Sequence, residues 1–386
     1  MKKINLFLVM MMALLVMSCS KDETTMSIPQ ESNAITFGTY LGRDAKTRGT
    51  VLDAAGLQTS GFGVFAYYTN EGSYTSGTST PNFMYNTKVS TAAWTYAPIK
   101  YWPNEATDKL TFFAYAPYSD GTLHNISALS ANTAAGDPTL TFTVNGTAKS
   151  QSDLLYADAT TGLKDLTKQT ITGNVTFPFK HALSRIGFKV EVMEDVVNDD
   201  PTGTADDGTA TSNPIETGTV VSVQKVELIG KFTGSGTFNF AAGTWTAPAV
   251  VGTTDPAYSL DYNATQASSN FDNTVADAVT IDETKLNADD SYLMIIPKEF
   301  TAAAGEGVKI KVTYTVTTTD TALVGGTSTV QNVITSDEFP FTFAAGTAYS
   351  FNLHLGLTSV KFSATMSDWE NATTETVVNV PINTAS

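Results

Sequence analysis

The sequence predicts an all-β fold, two β-sandwich domains in tandem, and three observations carry that expectation. Its polarity is hydroxyl rather than ionic: 62 of 386 residues are Thr, whereas only 22 are basic and 38 acidic. Hydrophobic residues make up 42% and aromatic residues 10%, and a composition rich in Thr, Tyr, Phe and Val favours strands over helices. Short apolar runs recur between Gly, Asn, Asp and Pro clusters, the spacing of sandwich strands and their turns. No long stretch carries a 3.6-residue apolar stripe, so helices should be few and short.

The chain opens on an address. Lys2 and Lys3 precede an apolar run from Leu6 to Met17, too short to span a bilayer and the length of a signal-peptide core. The single cysteine, Cys19, stands behind this run and the small Ser18, as in the lipobox of bacterial lipoproteins, although Met17 fills a place that usually holds a small residue. Residues 1–19 therefore read as a lipoprotein signal with Cys19 acylated, since two or more acyl chains anchor stably where one does not. Residues 20–33 are polar, contain Pro29 and lack periodicity, and read as a flexible tether.

Folded sequence begins near Ala34. Within a first domain, 34–180, strands are expected at 35–41, 61–68, 83–89, 93–102, 109–118, 139–144, 153–159 and 174–179. The boundary falls near residue 180, because apolar alternation restarts after Pro178 at Ile186, Phe188, Val190 and Val192. The second domain, 181–386, begins with a polar insertion from Glu194 to Gly218 bearing seven acidic and no basic residues. It reads as a solvated loop, since its Asp pairs lack the alternating ligand spacing of a calcium loop. Strands resume at 220–230, 236–245, 258–262, 278–282, 292–297 and 308–319, continue through 328–335, 338–343 and 349–369, and end at 376–382.

The chemistry that is missing narrows the function. A net charge of −16 argues against nucleic acid, whose phosphates need clustered Lys and Arg. One cysteine makes no disulfide framework or Cys-rich metal site. His124, His181 and His354 are far apart and form no HExxH pair, and there is no GxSxG elbow, P-loop or complete dinucleotide fingerprint. A glycosidase carboxylate pair needs only to meet in space, but a sandwich with loop carboxylates reads as non-catalytic, with no metal and no cofactor. Tyr67, Tyr68, Trp94, Tyr96, Tyr101 and Trp102 could stack on sugars; alternation favours a core role for them.

In this order, after the lipoprotein signal, come YLGRDAKTRG (40–49), TSGFGVFAYYT (59–69), WTYAPIKYWP (94–103), FFAYAPY (112–118), FKHALSRIGFKV (179–190), YLMIIPKE (292–299) and LGLTSVKFSATMSDW (355–369). Together they resemble the fimbrillins, the major and minor pilins of Bacteroidales-type surface fimbriae, and the resemblance spans essentially the whole mature chain. It implies two transthyretin-like β-sandwich domains, lipoprotein export, removal of an N-terminal segment by a protease that cuts after Arg, and polymerisation by donor-strand exchange. It also implies the partners: other copies of the chain or related pilins, the maturation protease, the outer membrane through the lipid on Cys19 before processing, and a host or bacterial surface ligand.

Carried onto this sequence, the cut falls between Arg48 and Gly49, so that 34–48 would be removed, with Arg43 a competing site. Residues 50–56, which follow, read as unstructured and accessible. The strand so lost carries Ile35, Phe37 and Leu41 at alternating inward positions, each burying about 1.5 to 3 kcal/mol. Together that is roughly 5 to 9 kcal/mol, comparable with the stability of a whole domain. The groove left behind would call for a replacement strand by β-augmentation, and a head-to-tail contact that does not close makes a filament. The candidate donor is the tail, 375–386, where Val378, Val380 and Ile382 alternate; the competing reading makes it the last strand of the second domain. Two alternatives to a structural pilin are a monomeric surface glycan-binding lipoprotein and a fimbrial tip adhesin.

Overall fold

The computed structural model describes residues 33–41, 52–146, 148–171, 173–192, 219–246, 258–261, 270–272, 279–281, 292–319, 325–355, 360–368 and 376–379. Up to residue 181 the elements are β1 (Phe37–Leu41), α1 (Ala54–Ser60), β2 (Phe62–Tyr68), β3 (Met84–Val89), β4 (Leu110–Ala116), β5 (Ile126–Leu129), β6 (Thr139–Thr143), β7 (Leu155–Ala157) and β8 (Val175–His181). Beyond it come β9 (Ser184–Val192), β10 (Thr219–Ile229), β11 (Ser235–Asn239), β12 (Thr244–Thr246), β13 (Tyr258–Asp261), β14 (Asn270–Asp272), β15 (Val279–Ile281) and β16 (Leu293–Ile295). The last are β17 (Lys298–Phe300), β18 (Lys309–Thr319), β19 (Thr327–Thr335), β20 (Phe341–Phe343), β21 (Thr347–Leu355), β22 (Val360–Asp368) and β23 (Thr376–Asn379). The fold is all-β, as the composition implies.

One six-stranded sheet runs β1-β8-β7-β4-β2-β3. At its centre every residue of β4, and all but the last of β2, is buried. Strands covered on both faces read as continuous apolar runs rather than as alternation, which is why FGVFAYY and LTFFAYA are so uniformly apolar. On one face Phe62, Val64, Phe112 and Ala114 pack with Phe177 and Phe179. On the other, Phe65, Tyr67, Phe113 and Tyr115 share a core with Phe142, Phe238 and Phe240, the Phe240 ring lying 5.8 Å from Phe65 and 5.7 Å from Tyr115.

The second face is covered by a four-stranded sheet, β12-β11-β6-β5. Here β6 pairs antiparallel with β11, from Thr143↔Ser235 to Thr139↔Asn239, so strands from either side of residue 180 share one sheet. Sheet membership otherwise changes between His181 and Ser184, where β8 ends and β9 begins. We keep the division at residue 180 as a proposal in which the β11–β12 hairpin reaches back across the joint. Downstream, β13-β10-β18-β19 and β15-β9-β21-β22-β23 form the two main sheets, and Val221, Leu228, Ile310 and Val312 of the first share a core with Ile186, Phe188, Phe351 and Leu353 of the second.

Several sequence expectations are corrected. The stretch 93–102 is an irregular strap, not a strand: Trp94 has φ +48°, and its pairing is limited to isolated bridges at Thr95 and Tyr101. Its alternating aromatics cover a core from a loop, which mimics strand periodicity. The stretch 50–56, expected to be unstructured, is ordered from Leu52: Asp53 caps α1 by accepting from the Gly56 N–H at 2.7 Å, and Leu57 is fully buried. Residues 236–245 form two strands around a turn with Gly243 at φ +63°, and 349–369 likewise divides into β21 and β22. Strands β5, β14 and β17 are additions. The acidic insertion lies outside the described residues.

Segments before and after residue 180 are tied by a side chain acting as backbone. The buried Gln151 amide donates to the carbonyls of Asn145 (2.7 Å) and Met294 (2.9 Å), while its oxygen accepts from the Met294 N–H at 2.6 Å. Gln151→Ala leaves the buried Met294 groups without these partners, and a lost buried bond of this kind costs about 1 to 3 kcal/mol. A lowered midpoint in thermal unfolding of the full chain is the expected outcome; an unchanged midpoint would show that the clamp contributes nothing.

Candidate functional site

The first strand is the element whose surroundings are most unusual. Its backbone is gripped on both edges. On one side β1 runs parallel to β8, in register from Phe37↔Val175 to Leu41↔Phe179, and Val175 donates to the Thr36 carbonyl at 2.8 Å. On the other, Ile35 donates to the Lys100 carbonyl and Trp102 to the Asn33 carbonyl, both at 2.8 Å, around an antiparallel bridge between Ala34 and Tyr101. Pro178 is compatible with this pairing. With Val175 donating toward β1, alternation turns the Pro178 nitrogen to the opposite side of β8, where β7 pairs only with Lys180 and His181.

Side chains close the slot from within. Ile35 is 1% and Phe37 3% exposed, and Leu41 is half-buried. The Phe37 ring lies 5.0 Å from Tyr96, 5.5 Å from Phe177 and 6.2 Å from Phe112, in tilted and edge-on arrangements that suit aromatic quadrupoles. Two full burials and one partial burial amount to about 4 to 7 kcal/mol. Above the strand, the Tyr96 hydroxyl donates to the Ile35 carbonyl at 2.8 Å and accepts from the Lys100 N–H at 3.2 Å. Burial raises the pKa of this phenol above its ordinary value, so it remains a donor at neutral pH.

The chain re-enters the fold just beyond. Leu52 donates to Asp153 Oδ2 at 3.1 Å, Asp153 Oδ1 accepts from the Leu154 N–H at 2.8 Å, and His181 Nδ1 lies 3.0 Å from Asp153 Oδ2. Asp153 and His181 are both buried. Sequence reasoning missed this anchor, because Asp153 and His181 are separated along the chain and carry no motif. Arg43, Arg48 and Gly49 fall between the two anchored points but lie, like Cys19, outside the described residues.

The remaining candidates are placed elsewhere. Val378 belongs to β23, a four-residue edge strand antiparallel to β22, while Val380 and Ile382 lie outside the described residues. Of the aromatics weighed as a sugar platform, Tyr67, Tyr96 and Trp102 are buried in the cores, and Tyr101 is exposed beside the first strand.

The sequence profile of the fimbrillin-like family matches residues 47–369. The fimbrium subunit Fim1C of Phocaeicola vulgatus is 30% identical over 383 residues, covering 94% of each chain. Among solved structures, one described as a cell adhesion protein from Bacteroides uniformis aligns with a TM-score of 0.44 at 16% identity, covering 87% of this chain and 97% of that one. The fimbrial anchor protein Mfa2 of Porphyromonas gingivalis aligns with a TM-score of 0.32 at 10% identity, covering 87% and 96%.

The groove geometry fixes the cost of disturbing it. In the uncut chain, Phe37→Ala should lose about 3 to 5 kcal/mol, and Tyr96→Phe about 1 kcal/mol through the bond to the Ile35 carbonyl. Denaturant unfolding of each variant measures both; equal, negligible losses would mean the strand is not held as described.

Proposed function

The chain belongs to the fimbrillin-like family, and from that premise we propose that it is a non-enzymatic structural subunit of a cell-surface fimbria, activated for assembly by loss of its first strand. In this reading it is exported as a lipoprotein acylated at Cys19, cleaved between Arg48 and Gly49, and polymerised by donor-strand exchange with other copies or related pilins. The observation that carries the reading is the first strand itself, an apolar strand gripped on both edges and followed directly by the stretch that holds Arg48. Removing it uncovers an apolar slot and two rows of unpaired backbone groups, which a strand from another subunit can satisfy.

The tail, 375–386, is the proposed donor. The described part of the tail, β23, stands at the edge of its sheet with β22 as its partner, and an edge strand can exchange partners without dividing a sheet. Pro381 lacks a ladder N–H and belongs near the end of any new pairing.

Three outcomes follow. Cys19→Ala should leave the protein unlipidated and strongly reduce its surface appearance, read by metabolic acyl labelling and surface immunodetection; normal display removes the lipid step. Arg48→Ala should give stable full-length monomers, and filaments of normal length in electron micrographs would mean Arg48 is not the trigger. Deleting Glu375–Ser386 should give a folded, processed subunit that cannot extend a filament. A collapsed melting temperature in the uncut deletion variant would assign the tail to its own sandwich.

A further inference from the structure

We propose that the first-strand groove selects for an incoming strand bearing an aromatic side chain in the place of Phe37, so that, of the two kinds of partner named above, its occupant is a strand of a related pilin rather than the tail of a second copy, while the tail of this chain serves the groove of a related pilin in turn. This rests on the strand-exchange reading above and specifies the partner at that same site.

The slot for Phe37 is built from rings on three separate elements: Tyr96 on the strap, Phe112 on β4 and Phe177 on β8. Phe112 stands on β4, held between β2 and β7, and Phe177 on β8, which keeps its pairing with β7 at Lys180 and His181 when the first strand leaves. Tyr96 keeps a tie that does not involve the first strand, through the Lys100 N–H and carbonyl. A second layer backs them, with Phe62 5.5 Å from both Phe177 and Phe179. Walls backed in this way resist collapse onto a smaller side chain, and a close-packed interior loses contacts in proportion to the void it keeps.

The tail does not supply the missing ring. From Glu370 to Ser386 there is no Phe, Tyr or Trp, so in every register the residue entering the Phe37 slot is aliphatic, polar or proline. The next position adds a preference. A Cβ at Gly38 would lie 3.3 Å from Thr176 Oγ1, a tight contact with an exposed side chain, so a small residue enters there with the least adjustment. In the tail, Val378 is followed by Asn379, Val380 by Pro381 and Ile382 by Asn383. The partner strand is therefore one that runs parallel to β8 and reads aliphatic, any residue, aromatic, small, as Ile35-Thr36-Phe37-Gly38 does.

The test uses the full chain with a site-specific protease sequence inserted between Arg48 and Gly49. After cutting, a fluorescent peptide spanning Asn33–Asp44 is exchanged into the groove and competed by unlabelled peptides. The tail peptide Thr374–Ser386 should compete at least about tenfold less well than Asn33–Asp44, the scale expected for a ring-sized void. Phe37→Val in the first-strand peptide should lose a similar factor, and Val378→Phe or Val380→Phe in the tail peptide should recover much of it. Equal competition by the native tail peptide, with no gain from either Phe variant, would overturn the selectivity while leaving strand exchange intact. Failure of the Asn33–Asp44 peptide itself to enter the cut chain would overturn strand exchange, and the selectivity with it.

Discussion

The burial of Ile35 and Phe37 is the interaction on which the N-terminal half depends. These two side chains complete an aromatic core whose other walls come from β2, β4, β8 and the strap, while the backbone that carries them satisfies Val175 on one edge and the Lys100–Trp102 segment on the other. One short segment thus fills an apolar slot and caps two polar edges at once. Its stabilisation of about 4 to 7 kcal/mol is of the order of a domain's whole margin. A molecule built this way is complete with the strand and badly incomplete without it.

The opposite end of the chain is held quite differently. Thr376–Asn379 adds four residues to the edge of a sheet already formed by β9, β21 and β22, and the strand it pairs with is already paired on its other edge with β21. A strand that its own core needs near one end and an edge strand near the other are unlike surfaces, and in the proposed assembly a contact between unlike surfaces does not close on itself. In the proposed selectivity, the ring-shaped Phe37 slot separates strands that carry an aromatic side chain from purely aliphatic ones, as a hydrophobic pocket does whenever it is sized for one side chain.

How much of this was legible in the sequence follows from which signals are local. Period-two alternation and β-branched or aromatic runs located β1, β8, β9, β10 and β18 closely, because each strand's own burial dictates its residues. The strap at 93–102 misled because Tyr96 and Trp102 are buried by a loop folding over the core, and burial leaves the same mark whatever the backbone does. Helix α1 buries only Leu57, too little for a 3.6-residue pattern to register. The β6–β11 pairing was invisible for a different reason, since its partners are about a hundred residues apart and nothing in either strand names the other. For the candidate site, Ile35, Phe37 and Leu41 were readable from alternation, whereas the grip of Tyr96 on the Ile35 carbonyl and the Leu52–Asp153 anchor depend on tertiary placement alone.

Amide hydrogen exchange at Val175 and Trp102, followed through the life of the subunit, tests the central claim most directly, because protection at these sites reports whether their first-strand acceptors are present. Both amides should be protected in the uncut chain, exchange rapidly in the cut monomer once its strand has been removed, and become protected again in the assembled filament. Protection that persists in the strand-free monomer, or that fails to return on assembly, would contradict the account.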